Sequence, residues 1–184
     1  MPTGENVTAA SLVTGDARHP AVRLERHLPD PPAVVWQALT DREQLRAWFP
    51  CDVVVDGGRW EPGAAIEFQF PAEVIDMTLT GQVLEVDEPK RLAFTWGEDT
   101  LRFELSPDGG GTHLVLIDEL PASAAARNAA GWDQCLDLLA GLQPAADAWK
   151  HRFQAYADAF EPVLGAQEGP PAGYKGDKPD RPSR

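Results

Sequence analysis

The chain has 184 residues and carries 29 Asp plus Glu against 16 Lys plus Arg, a formal charge of −13 with its four histidines neutral. That length suits one domain, and 43% apolar residues supply enough material for a real core. The acidic balance, with no Lys/Arg cluster to override it, argues against nucleic acid and anionic membrane surfaces as partners, and no run approaches the roughly 18 apolar residues of a membrane span.

Residues 1–20 mix Gly, Thr, Ala and Pro without sustained periodicity and are expected to form a flexible N-terminal tail. They also lack the basic start and apolar run of a secretory signal, so a cytoplasmic location is expected. Val22, Leu24 and Leu28 then alternate with Arg23, Glu25 and His27, the period of a half-buried strand with Arg26 as an intruder on the apolar side. Asp30-Pro31-Pro32 predicts an N-cap and first turn, followed by Val35, Trp36 and Leu39 at helical spacing. Thr40 to Gln44 offers capping chemistry for a second short helix whose Leu45, Trp48 and Phe49 share a face.

Six further strand-like segments follow: Cys51–Val55, Ala64–Phe70, Met77–Asp87, Arg91–Trp96, Thr100–Ser106 and Thr112–Leu120. Gly81 predicts a bulge or bend in the third of them. Beyond Pro121 the period changes to 3.6, with Trp132, Cys135, Leu136, Leu139 and Leu142 on one helical face. A last helix from about Ala145 to Phe160 carries the aromatic stripe Trp149, Phe153, Tyr156 and Phe160. Residues 165–184 hold four Gly and four Pro and are expected to be a disordered tail, leaving 21–164 as the domain.

The order of strand, two short helices, six strands and long helix predicts an α+β layer with one antiparallel sheet covered by a helix. An ordered series of fragments runs through it: Pro32-x-x-Val35-Trp36-x-Ala38-Leu39-Thr40, Trp48-Phe49, Gly57-Gly58-Arg59-Trp60, Pro62-Gly63, Gly81-x-Val83-Leu84-Glu85, Arg91-Leu92-x-x-Thr95-Trp96 and Gly131-Trp132. The series resembles bacterial proteins similar to the C-terminal domain of the activator of heat shock protein 90 ATPase, within the START-like (SRPBCC) superfamily. The resemblance covers Val22 to about Phe160. It implies a helix-grip fold: a seven-stranded curved antiparallel sheet around a long C-terminal helix, two short helices after strand one, and here an extra C-terminal helix. It also implies a cavity for an apolar ligand between sheet and helix, although fold alone does not fix function.

On that fold the expected lining is Phe68, Phe70, Leu79, Trp96, Phe103 and Leu116 opposite Trp132, Leu136 and Leu139, with Trp36 and Trp48 at the closed end. The same residues would also serve simply as packed core. Arg59 and Trp60, in a loop richer than a turn requires, either clamp a pocket mouth or close a sheet corner. Asp118 and Arg26 are the weak catalytic candidates; they either form a buried pair, or orient a polar ligand head, or lie near strand ends and reach water. No two histidines have ligand-like spacing, so no metal is expected, and the absence of GxSxG, P-loop and GxGxxG motifs gives no cofactor. Cys51 and Cys135 read as inert core thiols.

The reading that asks least is non-catalytic binding of a small apolar or lipid-like molecule. A cyclase- or hydratase-like enzyme using the same cavity is the alternative, and a chaperone-associated interaction protein follows from the family resemblance. The aromatic stripe on the last helix reads first as packing against the domain, and only if incompletely covered would it serve a homodimer contact.

Overall fold

The structure, a computed structural model, describes residues 10–13 and 19–175. Eight strands form one antiparallel sheet: β1 (Ser11–Val13), β2 (Ala21–Leu28), β3 (Asp52–Val55), β4 (Ala65–Gln69), β5 (Thr78–Asp87), β6 (Arg91–Trp96), β7 (Asp99–Asp108) and β8 (Gly111–Glu119), in the order β1-β2-β8-β7-β6-β5-β4-β3. Helices α1 (Pro32–Thr40) and α2 (Arg42–Leu45) follow β2, and α3 (Ala125–Leu139) and α4 (Ala148–Leu164) follow β8.

Six expected strands become β3 to β8 and the first becomes β2. The eighth is β1, which pairs with β2 through Leu12 opposite Val22, so part of the expected N-terminal tail belongs to the sheet. Residues 1–9 and 14–18 of that expectation, and 176–184 of the C-terminal one, lie outside the described residues. The bulge falls between Val83 and Glu85 instead of at Gly81. Gly81 meets a different need: a Cβ there would stand 2.0 Å from the Thr95 carbonyl oxygen.

The α1 cap also differs from expectation. Pro31 occupies the N-cap position with no side-chain bond, whereas Asp41 caps α2 by accepting from the Gln44 amide at 3.0 Å. Val35, Trp36 and Leu39 pack inward from α1, and Trp48 ties the α2 corner back by donating its indole N–H to the Ala38 carbonyl at 2.9 Å.

Helix α3 is the gripped element. Ala125, Ala126, Ala129 and Ala130 are all fully buried, small enough to bring the helix close to the sheet, before Trp132 and Leu136 fill the space further along. Leu139 is only half-buried and Leu142 lies outside the helix, exposed. Helix α4 packs along α3 and turns its aromatic stripe inward: Tyr156 and Phe160 are buried, Trp149 and Phe153 half-buried. Among the described residues, no helix is long and apolar enough to cross a membrane.

Candidate functional site

The concave face of the sheet is filled. Phe68, Leu116 and Leu136 have no exposed surface and Phe103 has 2%, so four residues expected to line a hollow instead meet one another in the core. Each fully buried side chain of this size contributes about 1.5–3 kcal/mol, which explains why the space directly beneath α3 closes. Trp36 is buried under α1, and the Trp132 ring packs 5.5 Å from Phe49 and 5.7 Å from Trp96.

The hollow lies to one side of that core. A half-open cavity of about 720 Å³ is bounded by the α2–β3 corner, the β4–β5 connection, the β6–β7 turn, the flank of α3, Trp149 of α4 and the segment after α4. Trp48, Phe49, Phe70, Leu79 and Trp96 supply its apolar wall. The α3 flank bordering the space carries Asn128, Gly131 and Cys135, next to the row of Trp132 and Leu136 that fills the core, and the change to smaller groups leaves room. Gly131 has the most space: a Cβ there would approach only the Trp149 Nε1, at 4.0 Å.

The chain after α4 closes part of the mouth. Gln167 accepts from the Ala126 amide at 2.9 Å and donates to the Ala122 carbonyl at 3.0 Å, so it caps the start of α3. The Glu168 amide donates to Ser123, Pro170, Pro171 and Tyr174 border the cavity, and the Lys175 amide donates to the Val74 carbonyl at 2.6 Å. Residues 165–175, expected to be disordered, thus form a strap from α4 to the β4–β5 connection.

One end of the cavity is polar. Asp99, at the start of β7 and 8% exposed, borders the space beside Asn128 and Arg127. Asp118 lies behind it on β8 with no exposure, because its position continues the inward row of Leu114 and Leu116. Trp132 donates its indole N–H to Asp118 Oδ2 at 2.8 Å. Asn128 donates to the same oxygen at 3.1 Å and to Asp99 Oδ2 at 2.8 Å. Burial, then the facing carboxyl of Asp99, holds the Asp118 carboxyl well above the usual carboxylate range. Burial also pushes Asp99 up to about 6, against the pull of its hydrogen bonds and of Arg127.

Arg26 does not join this group, and the expected Arg26–Asp118 pair is absent. On β2, Val22 is the residue opposite Asp118, so Arg26 sits four residues along the strand, about 13 Å away. It reaches α3 instead, pairing with Asp133 and, at 3.2 Å, with Asp137. Arg152 of α4 pairs with Asp137, and the Tyr156 hydroxyl donates to Asp133 Oδ2 at 2.9 Å. Neither Arg26 nor Asp118 reaches water as a strand-end residue would: the Arg26 side chain is 11% exposed.

Of the residues expected around a ligand, Trp48, Phe70, Leu79 and Trp96 border the cavity; Trp36, Phe68, Phe103, Leu116, Trp132, Leu136 and Leu139 do not. Arg59 is exposed outside the cavity, and Trp60 closes a sheet corner by donating to the Thr40 carbonyl at 2.8 Å with its ring 5.4 Å from Phe94. Phe49, Asp99, Asn128 and Trp149 border the cavity although the sequence reading gave them no such role. A signal for two existed: Asp99 shares the inward parity of Leu101, Phe103 and Leu105, and Asn128 lies one helical turn before Trp132.

Neither cysteine is activated, since burial raises both thiols, Cys135 to about 12. No group of three His, Cys, Asp or Glu that would hold a metal occurs among the described residues.

Residues 30–143 match the family described as Activator of Hsp90 ATPase homolog 1-like protein. No curated protein matches the sequence at a significant level. Among solved structures, a conserved protein of unknown function from Enterococcus faecalis, EF2215, superposes with a TM-score of 0.69 at 21% identity over 84% of this chain and 91% of its own. CalU16 from Micromonospora echinospora gives 0.62 at 20% identity over 86% and 97%. DynU16, a protein in the dynemicin biosynthetic locus, gives 0.57 at 25% identity over 66% of this chain and 46% of its own. The first two likenesses establish the fold, an α+β helix-grip arrangement with one strand more than expected.

Proposed function

The chain belongs to the Activator of Hsp90 ATPase homolog 1-like family of START-like proteins, and on that premise we propose that it binds a small, largely apolar molecule without transforming it. The observation that carries this reading is the cavity of about 720 Å³ walled by Trp48, Phe49, Phe70, Leu79 and Trp96, of the size and composition of small-molecule sites. The strap over its mouth supports it, because a partly covered apolar space holds a guest away from water. The likeness to a protein from a biosynthetic locus also favours a small-molecule setting.

The test uses Gly131. A leucine there projects toward Trp149 into the empty space, and in the interior of α3 it gains about 0.5–1 kcal/mol of helix propensity, so occlusion is separated from unfolding. Native mass spectrometry of the freshly purified protein is expected to show a co-purifying small molecule that Gly131→Leu lacks. Titration with the uncharged fluorophore N-phenyl-1-naphthylamine is expected to saturate in the native protein and fail in the variant. Equal titrations in both would remove the cavity as the binding site.

A cyclase- or hydratase-like reading is favoured by one observation, the Asp99 carboxyl bordering the same space with a value near neutrality. In that reading Asp99 moves the proton and Asp118 acts through it.

A further inference from the structure

The inner end of the cavity has spent its donors. Asn128 gives its side-chain N–H groups to Asp99 and Asp118, and Trp132 gives its indole N–H to Asp118. Asp118 Oδ1, fully buried, receives a hydrogen bond from no N–H or hydroxyl donor. The Asp99 and Asp118 carboxyls face each other across the Asn128 amide, and two interacting carboxyl groups share a proton, which leaves the pair one negative charge.

Among the described residues no basic side chain in the wall forms an ion pair with that charge, and Arg127 attracts it only from a distance. Arg46 is engaged by Glu43 at 2.6 Å and Asp52 at 3.3 Å. Arg127 is drawn to the strap, at 3.4 Å from Glu168 Oε2 and 3.3 Å from the Gly169 carbonyl. Around the same space stand the aromatic rings of Trp48, Phe49, Trp96 and Trp149. A buried carboxylate together with aromatic rings is the chemistry that holds an organic ammonium.

We propose that the cavity selects apolar molecules bearing one protonated amine, seated with the ammonium on Asp99 and the apolar body against Trp48 and Trp96. This rests on the cavity being the binding site and adds the class of guest. Asp118 from β8 fixes the charge of the pair. Asn128 orients both carboxyls from α3, Arg127 from the same helix opposes the guest unless the strap holds it away, and exposed Glu98 on the β6–β7 turn adds attraction at the entrance.

Isothermal titration with 1-naphthylmethylamine and its uncharged counterpart 1-naphthylmethanol tests the assignment. At pH 7.5 the amine is expected to bind about tenfold more tightly than the alcohol, as expected for one charge-assisted contact. Asp99→Asn, checked for folding by near-ultraviolet circular dichroism, collapses that ratio to about one. On the native protein, lowering the pH to 5 protonates Asp99 and weakens the amine about tenfold while the alcohol holds. Equal binding of amine and alcohol by the native protein, or a ratio unaltered by Asp99→Asn, overturns the amine assignment and leaves the cavity reading standing. If neither probe binds, the cavity reading itself falls and the assignment with it.

Discussion

Two buried aspartates lie in the seam between the sheet and α3, and they are provided for in opposite ways. Asp133 on α3 has the guanidinium of Arg26 from one side, Arg152 of α4 within 3.8 Å from the other, and the Tyr156 hydroxyl on its second oxygen. Asp118 on β8 has two neutral donors and a second carboxyl beside it. The first is a closed network that pins β2, α3 and α4 to one another, with the Ala10 amide tied in through the Tyr156 oxygen at 2.9 Å. The second carries a burial cost that no ion pair among the described residues offsets, Arg127 acting on it only at a distance, and it adjoins the cavity. An ionisable group left poorly compensated beside a hollow is where a ligand has something to contribute, whereas a compensated one is scaffold.

Breaking the closed network gives the largest effect. Arg26→Ala leaves Asp133 and Asp137 with Arg152 alone, and removing one partner of a buried pair costs about 3 kcal/mol, read as a lower midpoint in urea unfolding. If the cost is electrostatic, converting both aspartates to asparagine in the same background restores much of it, since no uncompensated charge remains. Failure to recover would show that the guanidinium acts by packing instead.

The open pair behaves in the reverse sense. A carboxyl whose native pKa is raised binds its proton more tightly when folded, so its contribution is present below about 3.8 and lost as the pH rises through about 6. For Asp99 that interval corresponds to about 2–3 kcal/mol missing at neutral pH. Asp118→Asn keeps an acceptor for Trp132 and a donor toward Asp99, and removes a carboxyl that must take up a proton to be buried at neutral pH. It is therefore expected to raise stability by about 2 kcal/mol at pH 7.5 and by under about 1 kcal/mol at pH 4. A variant less stable than the native protein at pH 7.5 would mean that burying Asp118 in its protonated form carries no such cost.

How far the sequence foretells this contrast differs between the two clusters. Strand periodicity located β2 to β8, and the parity that put Leu24 inward put Arg26 inward with it; its partners were not legible, because Asp133 and Asp137 lie 107 and 111 residues away on a helix whose rotation is set by docking. The short β1 offered three residues, too few for a period to register, and exists through its pairing with β2. Periodicity marks which side chains point inward but not whether they touch: Phe68, Phe103 and Leu136 were expected to frame a hollow and instead close it. The hollow moved to the flank of α3, where the strap, compositionally a tail, forms a wall. Composition judged the strap by its glycines and prolines, while Gln167, which fastens it, carries no local signature.

That fastening allows the smallest and most discriminating change. Gln167→Ala removes the cap on the Ala126 amide, worth about 1 kcal/mol by comparison with other helix caps, and loosens the segment carrying Glu168 and Gly169. Arg127 then loses its holders on the strap and is free to turn toward Asp99, whose charge already attracts it. The open pair comes to resemble the closed one: hydrogen exchange at Ala126 quickens, the Asp99 carboxyl titrates below its native value of about 6, and the preference for an amine over its alcohol declines. Faster exchange at Ala126 with an unmoved Asp99 titration would show that the strap covers the cavity but does not govern its charge.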